Sequence, residues 1–526
     1  MLPKCCIVHC TLCLIINPSL LWVLGDAPLV NTPQGWLRGV REDGYDMYLG
    51  ISYGIVDPNN VFGAAKPRPK LEGVYLADDD SRICPQKHEH GHSGIGTLDC
   101  LNLNVYVPRS ASHKKAVLVW IYGGSYKKGF SLKQVYGPEY LVAHDIIFVT
   151  FNYRVGPYGF FCLDTKEVPG NQGMKDQVMA LRWIRDNIEA FGGDKERITA
   201  AGCSFGAVSI ELHLSSNQEK LFNQAIIESG TPHMSGAVGT ANRSYPFLLA
   251  KHFGYNTTDL TKALDFLGKL YPPELAKVSY DLIETNSVCI EKVFDGVESF
   301  ISQLDFNITK VKSMNIIIGY NSQESLYRFT QIEPENEDYE KLQNIFKSYT
   351  KDYYISGIIR RYYIGYDDIS ITVRDKLIDF SSDAAVVHYI WRDINNLINK
   401  GANIYNYFFT YTGDRNYIKY KNNLTSSGAC HADEIGYLFY MKMFNSMNMN
   451  ARDTLMVERM TTMWTNFVKW GQPIPRVSKL LPKQWISATK DKLNYLEIDE
   501  VMKNGYNPHY KKIAFWDMIY AYRELI

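Results

Sequence analysis

Ile198-Thr199-Ala200-Ala201-Gly202-Cys203-Ser204-Phe205-Gly206 runs from a short apolar strand pattern through a G-x-S-x-G into Ala207 to Leu214, which reads as an amphipathic helix. A serine at the tip of a sharp strand-to-helix turn is held in a strained backbone conformation, and side chains two positions either side of it clash unless they are glycine. Ser204 would then project its hydroxyl over a sheet at a helix N-terminus, whose dipole favours negative charge. The bare motif is common; between a strand and a helix it is a strong signal.

Working outward, the apolar runs Val117 to Ile121, Ile146 to Val149, Ile198 to Ala201, Ala225 to Ile227 and Ile316 to Ile318 read as strands buried on both faces. The clearest helix follows Asn171, a candidate N-cap. Met174, Val178, Leu181, Ile184 and Ile188 make one helical face, and Gly192-Gly193 is a stop where glycine can take a left-handed cap. Alternating strands and helices predict an α/β fold with a large, mostly parallel central sheet flanked by helices and its chemistry at the carboxyl ends of strands.

A serine hydroxyl needs a base, and the base an orienting carboxylate. In the order serine, acid, histidine, Glu324 follows the strand Ile316 to Ile318, and His431 lies in Gly428-Ala429-Cys430-His431-Ala432-Asp433-Glu434. The strand Val117 to Ile121 runs into Tyr122-Gly123-Gly124-Ser125, whose glycines let backbone N–H groups converge on an oxyanion. One such donor is worth ~3–4 kcal/mol in the transition state.

With these features the chain resembles the type-B carboxylesterases, the cholinesterase-like family of α/β-hydrolases, and most of all the insect carboxylesterases. The resemblance covers nearly the whole chain after its first residues: Pro28-Leu29-Val30-Asn31-Thr32-Pro33-Gln34-Gly35, Asp99-Cys100-Leu101-Asn102-Leu103-Asn104-Val105-Tyr106, Asn152-Tyr153-Arg154-Val155-Gly156-Pro157, Gly170-Asn171-Gln172-Gly173-Met174-Lys175-Asp176-Gln177 and Trp464-Thr465-Asn466-Phe467. It implies Ser204 as nucleophile, Glu324 as acid, His431 as base, and the N–H groups of Gly124, Ser125 and Phe205 as oxyanion donors. It implies supporting places for Ser229 and Glu434, a buried structural pair for Arg154 and Asp176, and no metal or organic cofactor. The expected partner is a small ester.

Three residues depart from the family pattern. Cys203 stands where Glu is usual, which is expected to remove a negative charge beside the nucleophile and with it some attraction for cationic substrates. Phe205 replaces a small residue and is expected to narrow the pocket or leave only its N–H in play. Ser125 replaces Gly or Ala and would be mildly strained if its φ is positive. The loop Pro85 to Asp99 has no Trp, Tyr or Phe, whereas the corresponding cholinesterase loop holds a quaternary ammonium on an aromatic ring, so a neutral ester is expected in place of acetylcholine. His88, His90 and His92 in that loop read as polar surface and not as a metal site. Cys203 and Cys430 read as small buried thiols. Asp433 and Glu434 adjoin His431 and could be mistaken for its acid, but chain order and the strand-end position favour Glu324. The Tyr-rich stretch Tyr353 to Tyr366 reads as lid or core packing.

Composition agrees. The 526 residues hold 56 Lys plus Arg and 56 Asp plus Glu, with no basic block for nucleic acid, and 46% hydrophobic residues exclude disorder. Length alone suggests roughly three or four domains, but no linker divides the chain, and residues 26–526 read as one catalytic domain. Residues 1–25, with Lys4 before an apolar run, read as a signal peptide; the alternative is an anchor helix, interrupted at Asn17-Pro18-Ser19. A secreted protein without a stable membrane anchor is expected. Cys84 and Cys100, close together in a polar segment, are expected to pair, the alternative being two free thiols. Asn242, Asn256, Asn307 and Asn423 head glycosylation sequons. The rival reading of the whole chain is a catalytically weak or silent binding or sequestering protein.

Overall fold

The computed structural model describes residues 27–89, 91–303, 308–329 and 353–525. Residues 1–25, read as a signal peptide, and His90 and Asn307 lie outside the described residues.

Eleven strands form the central sheet: β1 (Val40–Arg41), β2 (Tyr45–Ser52), β3 (Asn102–Pro108), β4 (Lys115–Ile121), β5 (Ile147–Phe151), β6 (Gly193–Cys203), β7 (Gln224–Glu228), β8 (Asn315–Asn321), β9 (Asn403–Phe409), β10 (Asn494–Ile498) and β11 (Lys503–Tyr506). Their spatial order is β1-β2-β3-β5-β4-β6-β7-β8-β9-β10-β11. Every pairing from β5 to β10 is parallel, as the apolar runs predicted. The antiparallel strands at both edges were not foreseen. They alternate polar with apolar residues or are only a few residues long, so they lack the continuous apolar run that marks a doubly covered strand.

The pleat divides the interior between two cores. Val117, Val119 and Ile121 pack with Leu181, Ile184 and Ile210, from helices α1 (Gln172–Asn187) and α2 (Phe205–Ser215). Leu118 and Trp120, pointing the other way, pack with Met460 and Trp464 of the long helix Ala451–Trp470. Two local readings need correction. Asn171 occupies the cap position of α1 but with φ +57° and no capping bond. Its amide donates instead to Cys289 O and Glu291 Oε1 (2.7 Å each) and its Oδ1 accepts from Cys289 N (2.8 Å). Helix α2 is not amphipathic: Phe205 to Leu214 are all buried, which suits a helix enclosed by other elements. The stop at Gly192 holds, with φ +81° after a short 3₁₀ turn, Ile188–Phe191.

Cys84 and Cys100 are joined, as expected, and a second disulfide links Cys162 to Cys289 across 127 residues. Cys203 and Cys430 are buried free thiols. Arg154 and Asp176 form a fully buried bidentate pair, with Nε and Nη2 each 2.7 Å from a carboxylate oxygen. In the Tyr-rich stretch, Tyr363 donates to Asp383 in a third core, while Tyr354 and Tyr366 face solvent. Among the described residues no helix is long and apolar enough to cross a membrane.

Candidate active site

Strands β6, β7 and β8 end side by side, and their last residues and following loops hold Ser204, Glu228, Ser229 and Glu324. Ser204 leaves β6 with φ +59° and ψ −128°, a conformation costly for a residue with a Cβ. Its N–H donates to Glu228 O at 2.8 Å, and its own C=O accepts from Val208 N at 3.0 Å in the first turn of α2. Both flanking glycines are required sterically. A Cβ on Gly206 would lie 2.0 Å from Ile121 O, and one on Gly202 2.6 Å from the same atom.

The loop after β4 closes over this turn. A Cβ on Gly123 would lie 2.5 Å from Cys203 O and 2.9 Å from Ser204 Cβ, so the loop and the elbow touch through bare backbone. Gly124, Ser125 and Tyr126 have φ of +115°, +56° and +54°, and the strain anticipated for Ser125 is present. Among the described residues, the backbone N–H groups of Gly124, Ser125 and Phe205 donate to no protein acceptor. The Phe205 ring does not occupy open space. It is 9% exposed and meets Tyr126 edge-on at 4.9 Å, and Tyr126 stacks on Phe160 at 4.3 Å.

Glu324 and His431 are brought together by pairing of their loops, with Gln323 bridging Cys430 and Gln323 N bonding Ala429 O at 2.8 Å. His431 Nδ1 lies 2.6 Å from Glu324 Oε2. A carboxylate can only accept there, so Nδ1 carries the proton and Nε2 is left as a base. The other oxygen of Glu324 accepts from Ser229 Oγ (2.6 Å) and Asn321 N (2.7 Å). Burial disfavours the charged imidazole, but the Glu324 carboxylate outweighs it and the His431 pKa is raised. Asp433 is directed elsewhere, accepting from Cys430 N (2.6 Å), Lys419 N and Asn416 Nδ2 (3.0 Å each).

Behind this pair lies a cluster that sequence reasoning only half found. Glu434 Oε2 accepts from Asn321 Nδ2, the residue whose N–H holds Glu324. Glu228 was missed. It is the last residue of β7, in register with Cys203, and its Oε1 accepts from Trp464 Nε1 at 2.7 Å. One donor atom from each of Cys203, Glu228 and Glu434 lies within 4.8 Å of the others, and all three residues are buried. Among the described residues this is the one such group of metal-type donors, and His88 and His92 are not in one. Cys203 itself brings no carboxylate to the elbow, but the end of β7 and the turn after His431 place two buried carboxyl groups, Glu228 and Glu434, in its neighbourhood. A cavity of about 750 Å³ lined by Tyr53, Lys175, Trp183 and Asn187 lies outside these residues.

The carboxylesterase family's sequence profile matches residues 26–516. Esterase FE4 of Myzus persicae is 29% identical over 92% of this chain and 91% of its own, and the juvenile hormone esterase of Tribolium castaneum is 30% identical over 93% and 91%. The acetylcholinesterase of Bungarus fasciatus is 28% identical over 89% and 82%. Among solved structures, the juvenile hormone esterase of Manduca sexta with OTFP covalently attached superposes with a TM-score of 0.80 at 25% identity, covering 94% of this chain and all of that one. The sheet, the elbow and these likenesses together show that the chain belongs to the carboxylesterase family and is a carboxylic ester hydrolase with the α/β-hydrolase fold.

Proposed function

We propose that the protein is a secreted serine esterase that cleaves neutral carboxylic esters through an acyl-enzyme. The observation that carries this is the 2.6 Å contact of His431 Nδ1 with a Glu324 carboxylate braced by Ser229 and Asn321, at the end of the sheet where β6 leads into the Ser204 elbow. His431 Nε2 takes the Ser204 proton as Oγ attacks the ester carbonyl. The N–H groups of Gly124, Ser125 and Phe205, which donate to no acceptor among the described residues, receive the oxyanion. His431 returns the proton to the departing alcohol, and water repeats the sequence on the acyl-enzyme.

The neutral substrate rests on the Pro85 to Asp99 loop, which has no aromatic ring to hold a cation. Secretion is supported by the leader pattern and two disulfides. Of the sequon residues, Asn256 and Asn423 are exposed and Asn242 is half-buried, so the first two are the better glycan acceptors. Ser204→Ala should abolish both hydrolysis of a chromogenic ester and labelling by an organophosphate; retention of either by the purified, folded variant overturns the assignment. Burst amplitude compared with steady-state rate separates a turning-over enzyme from a sequestering one.

A further inference from the structure

Glu228 and Glu434 are both 0% exposed, and a carboxylate oxygen of one lies within 4.8 Å of one on the other. Their surroundings are unequal. Glu434 receives Asn321 Nδ2 at Oε2, and its Oε1 faces Tyr407 OH at 3.5 Å and the Cys203 thiol at 4.0 Å. Glu228 receives Trp464 Nε1 at Oε1, while its Oε2 has no hydrogen-bond partner among the described residues. The groups facing the pair are the Cys203 thiol, the Tyr407 phenol, the Glu324 carboxylate and the His431 imidazole. Tyr136 lies beyond Cys203, and Arg328 acts on His431 from elsewhere. Among the described residues, no Lys or Arg forms an ion pair or hydrogen bond with either carboxyl. Two buried carboxylates so close cannot both ionise without a cation. The donor set suits an anionic Glu434 and a protonated Glu228.

We propose that Glu228 and Glu434 work as one unit that keeps a single proton and a single negative charge behind the catalytic acid, and that this charge favours the imidazolium that His431 becomes in the transition state. Glu228 is then a positioning residue. It touches no reacting atom, but it can take over the charge when Glu434 is neutralised. Cys203 leaves the cluster uncrowded, because a third carboxylate there would force a second proton onto the group. The assignment rests on the proposed roles of Ser204 and His431.

The test is the pH profile of kcat/KM for a neutral ester in the wild type, Glu228→Gln, Glu434→Gln and the double variant. Active-site concentration is set by organophosphate titration, so that misfolded protein is not counted. The wild-type ascending limb should have its midpoint above the ordinary imidazole value of ~6.5. Each single variant keeps one carboxylate, so its midpoint should stay within about 0.3 pH unit of the wild type. The double variant has none, so its midpoint should fall by about one pH unit and kcat by roughly tenfold, with KM unchanged. A double variant with the wild-type profile would mean the pair is uncharged. Glu434→Gln alone reproducing the whole shift would mean Glu228 takes no part. Either result overturns the proposal. Retained hydrolysis in Ser204→Ala would instead overturn the functional reading beneath it.

Discussion

Arg154–Asp176 and Glu228–Glu434 are both completely buried pairs of ionisable side chains within the same sheet's shell, and they are opposite in kind. In the first, a guanidinium meets a carboxylate through two 2.7 Å bonds, a third donor reaches Gly63 O at 2.8 Å, and Arg154 N adds a bond to Asp176 at 3.1 Å. In the second, two like groups face one another with no Lys or Arg paired to them among the described residues, and one oxygen has no hydrogen-bond partner there. A neutralised and fully bonded pair can be a pure scaffold. A pair of like groups costs stability, and such an arrangement persists where a reaction uses it.

The largest expected effect breaks the scaffold pair. Asp176→Asn leaves the Arg154 charge buried and unpaired, and should lower unfolding free energy by ~3–5 kcal/mol, read from urea midpoints. Activity per titrated active site should be nearly unchanged, since neither residue meets the triad.

A smaller effect of opposite sense sharpens the contrast. Burial raises Glu228, with Glu434 adding to it, and burial and Glu324 raise Glu434. A carboxyl raised in the folded state binds a proton that the unfolded chain, with its value near ~4.3, has already released. Stability is therefore lost as pH rises above that range, by up to ~1.4 kcal/mol per pH unit for each proton retained. Urea midpoints between pH 5 and pH 7.5 should show this decline in the wild type and a flatter one in Glu228→Gln. Identical slopes would mean that the pair holds no extra proton.

The smallest effect is the stability of Glu228→Gln itself at neutral pH. The amide still accepts from Trp464, and one buried carboxyl is gone, so the change should lie within ~1 kcal/mol of zero or be stabilising. The same isosteric change at Asp176 is the severe one.

The two pairs also differ in how far they could be read beforehand. Arg154 and Asp176 sit inside long motifs that carry the family resemblance, so their pairing was expected. Ser204, Glu324 and His431 were legible because each follows a strand pattern or motif in a fixed chain order. Glu228 was invisible because its role depends on register: β7 places it opposite Cys203, and no local pattern numbers one strand against another. Asn171 was misread for a related reason. Local grammar makes it a cap, but a partner 118 residues away captured its amide. The Cys162–Cys289 link likewise has no local signal, whereas Cys84 and Cys100, 16 residues apart in a polar loop, do.

That longer cross-link has a consequence for the chain's tolerance of cutting. It spans Ser204, Glu228 and the exposed Arg243-Ser244 turn between them. A protease that nicks this turn severs the backbone without releasing a fragment, since both pieces stay tied through Cys162 and Cys289 and through the parallel pairing of β6 and β7 with their neighbours. Such a molecule would migrate as one band until reduced, then as two, and would hold its nucleophile in place throughout.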